Sequence, residues 1–174
     1  LEALIAEGNL DRAARQRALL NNLANYPKHL ELRVSLLDAR LALNADRIEG
    51  ALAILSSTDA AGLESRPELL QEYLLLLGLA YQENEQYENA LSAYLRLGNA
   101  NEKNPRTNLS VHNKIWDAIN SLSSIQLNNF ANTANNYQSR GWVELARVVT
   151  SEARSIRSQL DAIAQWRRIW SQHP

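Results

Sequence analysis

The sequence predicts an all-α protein built as a stack of antiparallel helix pairs, and three observations carry that expectation. Positions recur at spacings of 38 and 39 residues: Leu10, Ile48 and Tyr87 fall at one place, Ala13, Ala51 and Ala90 at a second, Ala14, Leu52 and Leu91 at a third. Glycine- or proline-marked breaks at Tyr26-Pro27, Gly62 to Pro67 and Gly98 to Pro105 cut the first hundred residues into pieces the size of one helix pair. Apolar residues return at three- and four-residue steps, as in Ile156, Leu160, Ile163, Trp166 and Trp170, which gives a helix one apolar stripe. A helix pair exposes an apolar face until a neighbouring pair covers it, so a repeat of this length implies stacking.

Taken in order, Leu1 to Ala6 reads as the tail of a helix, Glu7-Gly8-Asn9 as a turn, and Leu10 to Asn25 as the return helix. The second pair runs from about His29 to Leu43 and from about Ile48 to Ser56, with Asp46 as the N-cap of the return helix. The third runs from Pro67 to Gln82 and from Tyr87 to Leu97. Within it, small Gly78 and Ala90 allow close helix crossing, and Tyr81 and Tyr94 fill the space beside them.

The residues Leu77-Gly78-x-x-Tyr81 and Ala90-x-x-x-Tyr94 resemble the signature of the tetratricopeptide repeat, with Pro105 a few residues beyond the usual terminal proline. That resemblance implies a right-handed superhelix. The second repeat carries Ala39 and Ala42 where Gly78 and Tyr81 stand, so residues 1–104 are expected to form three degenerate tetratricopeptide-like pairs, the first truncated.

Beyond Pro105 the register is lost. Asn108-Leu-Ser110 offers an N-cap for a helix to about Leu122, Ser123-Ser124 caps a short helix through Phe130, and Asn132 to Ser139 is a polar connector. Helices from Gly141 to about Ser151 and from about Ser155 to Ser171 complete residues 105–174, a helical continuation ending in a Trp-rich helix and a linker.

The elements Asn113-Lys-Ile-Trp116-x-x-Ile119, Gly141-Trp142-x-Glu144-Leu145, and Leu160 with Trp166 and Trp170 followed by His173-Pro174, resemble the N-terminal domain of the LpoA family. These are outer-membrane lipoproteins of gammaproteobacteria that activate a class A penicillin-binding protein. The resemblance implies a non-catalytic spacer and protein-interaction module in the periplasm, tethered to the inner leaflet of the outer membrane. It also implies a lipidated cysteine, a leader and a larger C-terminal domain outside this chain. A class A penicillin-binding protein is then the expected partner, reached mainly through that further domain, with peptidoglycan as a second candidate. The competing reading is a tetratricopeptide adaptor that binds a peptide in its groove. A helical domain of a glycan-cleaving enzyme is the third.

Composition narrows the chemistry. Hydrophobic residues make up 45% and charged residues 21% of the chain, the balance of a folded globular protein. No apolar run approaches the roughly 18 residues of a membrane helix. Net charge is −1, but residues 1–100 hold nine Lys/Arg against 14 Asp/Glu while residues 101–174 hold nine against five. The basic excess of the second half is spread out and lacks the clustering of a nucleic-acid footprint.

With no cysteine, and with His29, His112 and His173 far apart, neither a thiolate nor a histidine metal site is expected, nor any cofactor. Glu64-Ser65 echoes the catalytic dipeptide of lytic transglycosylases. It falls in a loop, however, whereas general-acid work needs an apolar cleft, so no catalytic residue is assigned. Glu83, Glu85 and Glu88 read as a solvated turn. The helix from Leu69 to Tyr81 has no basic residue with which to clamp a peptide carboxylate.

Trp142, Trp166, Arg167 and Trp170 are candidates either for a partner-facing anchor or for indole packing with Trp116 that closes the last helices. Under the packing reading, Trp166→Ala costs about 3–5 kcal/mol in denaturant unfolding. A change near zero would place the indole on the surface.

Overall fold

The computed structural model describes residues 3–4, 7–20, 28–100, 105–133, 141–143, 145–146, 160, 163–164 and 167, and among them every regular element is a helix. In chain order these are α1 (Leu10–Leu20), α2 (Lys28–Asn44), α3 (Ile48–Ser57), α4 (Ala60–Glu64), α5 (Pro67–Glu83), α6 (Tyr87–Ala100), α7 (Pro105–Asn120) and α8 (Ser124–Thr133). The chain divides into two compact units, Leu1–Gln86 and Tyr87–Pro174. No helix among the described residues is long and apolar enough to cross a membrane.

In the first unit, α2 packs against α1, α3 and α5, and α5 packs in turn against α3 and α4. The reason lies in the side chains. Leu36 and Ala39 of α2 are fully enclosed, and Leu37 and Leu41 join Ala13 of α1 in one cluster. On α3, Ala51 and Leu55 stand one turn apart on the buried face. Helix α5 opens with Pro67 in its first turn, where a missing N–H costs nothing. It buries Leu69, Tyr73, Leu74, Leu76, Leu77, Gly78 and Ala80, most of its circumference. Each fully enclosed leucine contributes about 1.5–3 kcal/mol of transfer free energy.

The turns that close the helices repeat more faithfully than the residues do. Gly8, Asp46 and Glu85 occupy one repeat position, and all three have positive φ, at 73°, 57° and 57°. The following residue donates its N–H to the carbonyl five positions back in each case: Asn9 to Leu4 (2.8 Å), Arg47 to Ala42 (2.9 Å), Gln86 to Tyr81 (2.8 Å). This is a Schellman-type closure, in which a left-handed residue lets the chain satisfy the last helical carbonyls.

Asp46 is therefore not the N-cap of α3 expected above. That place belongs to Arg47, whose side chain makes no cap bond. The segment Gly62 to Pro67 is not a plain break either, since Gly62 lies inside α4. Likewise Gly98 lies inside α6, and α7 starts at Pro105, so Asn108 is helical and not a cap. A glycine in a helix costs only about 1 kcal/mol relative to alanine, and Gly98 lies where α6 meets Val111 and Ile115 of α7, so a local breaker does not end the helix.

In the second unit α6 packs against α7 and α8. Val111, Ile115, Ala118 and Ile119 are buried on one side of α7, while His112, Asn113, Asp117 and Asn120 are exposed on the other. Tyr94 of α6 is fully enclosed, with the Lys114 ammonium 5.9 Å from its ring centre. A capping box starts α8: Ser123 Oγ accepts the Gln126 N–H at 3.3 Å, and Gln126 Oε1 accepts the Ser123 N–H at 3.0 Å.

Two glycines make a paired test. A Cβ at Gly8 would meet nothing within 4 Å, yet the left-handed backbone penalises it, so Gly8→Ala destabilises by about 1–2 kcal/mol. At Gly98 a Cβ would meet Val111 and Ile115 at 3.8 Å, ordinary contact on a helical backbone, so Gly98→Ala stabilises by about 0.5–1 kcal/mol. Thermal unfolding of both variants checks the two signs.

Candidate interaction surfaces

Two ion pairs flank α2. Arg17 of α1 donates from Nε to Asp38 Oδ1 (2.6 Å) and from Nη2 to Oδ2 (2.7 Å), a bidentate fork on half-buried side chains. On the other flank Arg40 Nη2 donates to Glu72 Oε1 of α5 at 2.5 Å. Beside the first pair lies a groove of about 480 Å³ among α1, α2 and α3. Ala14, Ala18, Ala42 and Gly50 give it low walls, and Leu41 and Ile54 an apolar floor. A second cavity of about 480 Å³ lies where the start of α2 faces the α3–α4 connection and the residues leading into α5, and its lining is polar.

The second unit presents an aromatic cluster. Trp142 meets the Trp116 ring edge-on, with centroids 5.6 Å apart and planes at 82°, and His112 at 5.3 Å and 60°. Edge-to-face geometry is favourable for indole pairs. Both tryptophans are half-buried, between solvent and the core formed by Val143, Ile115 and Ile119.

Of the residues singled out in the sequence, Leu77, Gly78, Ala90 and Tyr94 are buried and Tyr81 is half-buried. The first two and Tyr81 belong to one unit, Ala90 and Tyr94 to the other. Trp142 lies against Trp116. Arg167 is helical and exposed, whereas Trp166, Trp170 and His173 lie outside the described residues. Glu64 and Ser65 are exposed, and Ser65 Oγ donates to the Gly62 carbonyl at 3.3 Å, so no apolar cleft surrounds that carboxylate. No group of three or more His, Cys, Asp and Glu residues is gathered as a metal site among the described residues.

The two ion pairs and the polar cavity were not anticipated. Arg17 and Asp38 are 21 residues apart, and Arg40 and Glu72 are 32 apart, so no local charge pattern marks them.

Helix packed on helix, with clefts between them and no gathered metal-ligating group among the described residues, is the architecture of a helical-repeat module. The family model described as "LppC putative lipoprotein" matches residues 1–174, and the chain belongs to that family. It is 27% identical over 176 residues to the penicillin-binding protein activator LpoA of Edwardsiella piscicida, covering all of this chain and 24% of that protein. The chain thus spans about a quarter of the length of that curated relative.

Among solved structures, the LpoA N-terminal domain from Haemophilus influenzae shares the fold. Its TM-score is 0.71 at 20% identity, over 98% of this chain and 74% of that one. Full-length LpoA from the same organism gives a TM-score of 0.73 at 21% identity, over 98% of this chain and 30% of the other.

A double-mutant cycle on Arg17→Ala and Asp38→Ala should return a coupling of about 1 kcal/mol. The cycle is needed because Arg17 engages other groups as well. Raising salt to roughly 1 M should shrink that coupling, read by denaturant unfolding.

Proposed function

We propose that this chain is the N-terminal domain of an LpoA-type activator of a class A penicillin-binding protein, and that it supports peptidoglycan synthesis as a non-catalytic spacer and protein-interaction module. The observation that carries this reading is the family match along residues 1–174, joined to a fold shared with an LpoA N-terminal domain over 98% of the chain. Three degenerate tetratricopeptide-like pairs over residues 1–104 and a helical continuation over residues 105–174 would lead to a further domain that meets the synthase. Leu77, Gly78, Tyr81, Ala90 and Tyr94 would serve as repeat-packing positions, and Trp142, Trp166, Arg167 and Trp170 as interaction or inter-domain packing positions. The setting is the periplasm, with a lipid anchor outside this chain in the inner leaflet of the outer membrane.

Helices held by apolar packing and cross-helix ion pairs keep their length under load, whereas a flexible linker of the same residue count contracts to a coil. A peptide adaptor is less favoured, since α5 contains no Lys or Arg to grip a terminal carboxylate.

Glycan polymerisation and peptide cross-linking by a class A penicillin-binding protein should both rise when the full-length protein is added. Removing this domain should abolish the stimulation when the activator is anchored to one membrane and the synthase to another, and preserve it when both are in detergent solution. A full-length protein that leaves both reactions unchanged would overturn the activator reading.

A further inference from the structure

The cavity at the start of α2 is lined mainly by polar and charged residues, and its volume of about 480 Å³ falls within the span of ligand pockets, roughly 300–1,000 Å³. Glu31 and Ser35 come from α2, Ser57, Thr58 and Asp59 from the end of α3 and the connection after it, and Ser65 and Arg66 from the approach to α5.

Its hydrogen-bonding character is set by the backbone beneath it. Ser57 Oγ donates to the Ile54 carbonyl (2.8 Å), Thr58 Oγ1 to the same carbonyl (2.9 Å), and Ser65 Oγ to the Gly62 carbonyl (3.3 Å). A hydroxyl has one proton to give, so these oxygens can meet a ligand only as acceptors. The Glu31 carboxylate adds to that acceptor wall, and Asp59, which engages another group already, lies beside it. The Asp59 carboxylate folds over α4 so closely that a Cβ on Gly62 would stand 3.0 Å from its Oδ2, so glycine at that position leaves it room.

Arg66 supplies the opposite sign. It is half-buried, and neither it nor Glu31 makes an ion pair or side-chain hydrogen bond with a described residue, so the two charges share the cavity without neutralising each other. An ammonium group is all donor and fits the acceptor wall. A carboxylate is all acceptor and fits the guanidinium.

We propose that this cavity binds a zwitterionic ligand carrying a primary ammonium and a carboxylate on one short aliphatic stem, the chemistry of lysine free or at a peptide C-terminus. The Glu31 carboxylate and the serine and threonine oxygens take the ammonium, and Arg66 takes the carboxylate. The assignment rests on the cavity alone and does not depend on the activator reading.

Titration of the 174-residue chain with L-lysine, followed by amide chemical shifts, tests it. Saturable shifts centred on Ser57, Thr58 and Gly62 are expected in the millimolar range, with lysinamide and doubly N-acetylated lysine each weakened roughly tenfold or more. Glu31→Gln and Arg66→Gln, both surface-compatible, should each weaken binding by a similar factor while leaving circular dichroism and melting unchanged. The tripeptide Ala-Ala-Lys separates the sources. Binding at least as tight as lysine identifies a peptide terminus, and binding only by free lysine identifies the amino acid. Absence of saturable shifts with either probe, or binding that ignores both substitutions, would overturn the site.

Discussion

Helix α2 has to satisfy three neighbours at once, and the first unit is organised by that demand. A helix facing one partner needs a single apolar stripe; one facing α1, α3 and α5 needs apolar surface on several sides and few polar residues between. The sequence of α2 meets the demand with Leu36, Leu37, Ala39, Leu41 and Ala42, the alanines keeping neighbouring backbones close. Its two bridging charges are two residues apart, which on a helix turns them about 200° from each other. Asp38 therefore reaches α1 and Arg40 reaches α5, so each flank is held by a directional contact as well as by packing. Because apolar contact is non-directional, the two ion pairs fix which residues face each other along an otherwise slippery seam.

Much of this architecture was legible in the sequence, because helical periodicity and a repeat of about forty residues survive divergence. The bounds of α2, α3 and α5 fall within a residue or two of the reading from apolar spacing and Pro67. What failed were single-residue punctuation marks. Gly98 and Gly62 look like breaks to a local rule, but each sits inside a helix packed against its neighbours, where one glycine costs only about 1 kcal/mol. Asp46 has the right chemistry for an N-cap and the wrong backbone, since the preceding helix needs a left-handed residue there for its own closure.

The surfaces were less legible than the fold. The indoles of Trp116 and Trp142 meet edge to face, a contact between residues 26 positions apart that no local spacing announces. The polar cavity joins α2 to segments more than twenty residues further on, and no pattern of types announces it. Serine and threonine near a helix end ordinarily signify local capping, which is what Ser57 and Thr58 do. Only the folded arrangement shows that their remaining lone pairs share a space with two carboxylates and a guanidinium.

The recurrent closure at Gly8, Asp46 and Glu85 has a consequence for how such a protein can change over time. The motif is written in a dihedral angle and one backbone hydrogen bond spanning five residues, and the side chain at its centre is glycine once, aspartate once and glutamate once. A backbone device of this kind tolerates replacement of the residue that implements it, at a modest cost in strain. Sequence identity can then fall to a fifth while the path of the chain is kept, as the likeness to the Haemophilus domain illustrates. Across the three repeats of this chain the geometry of the bend is what recurs, and the amino acid that makes it changes.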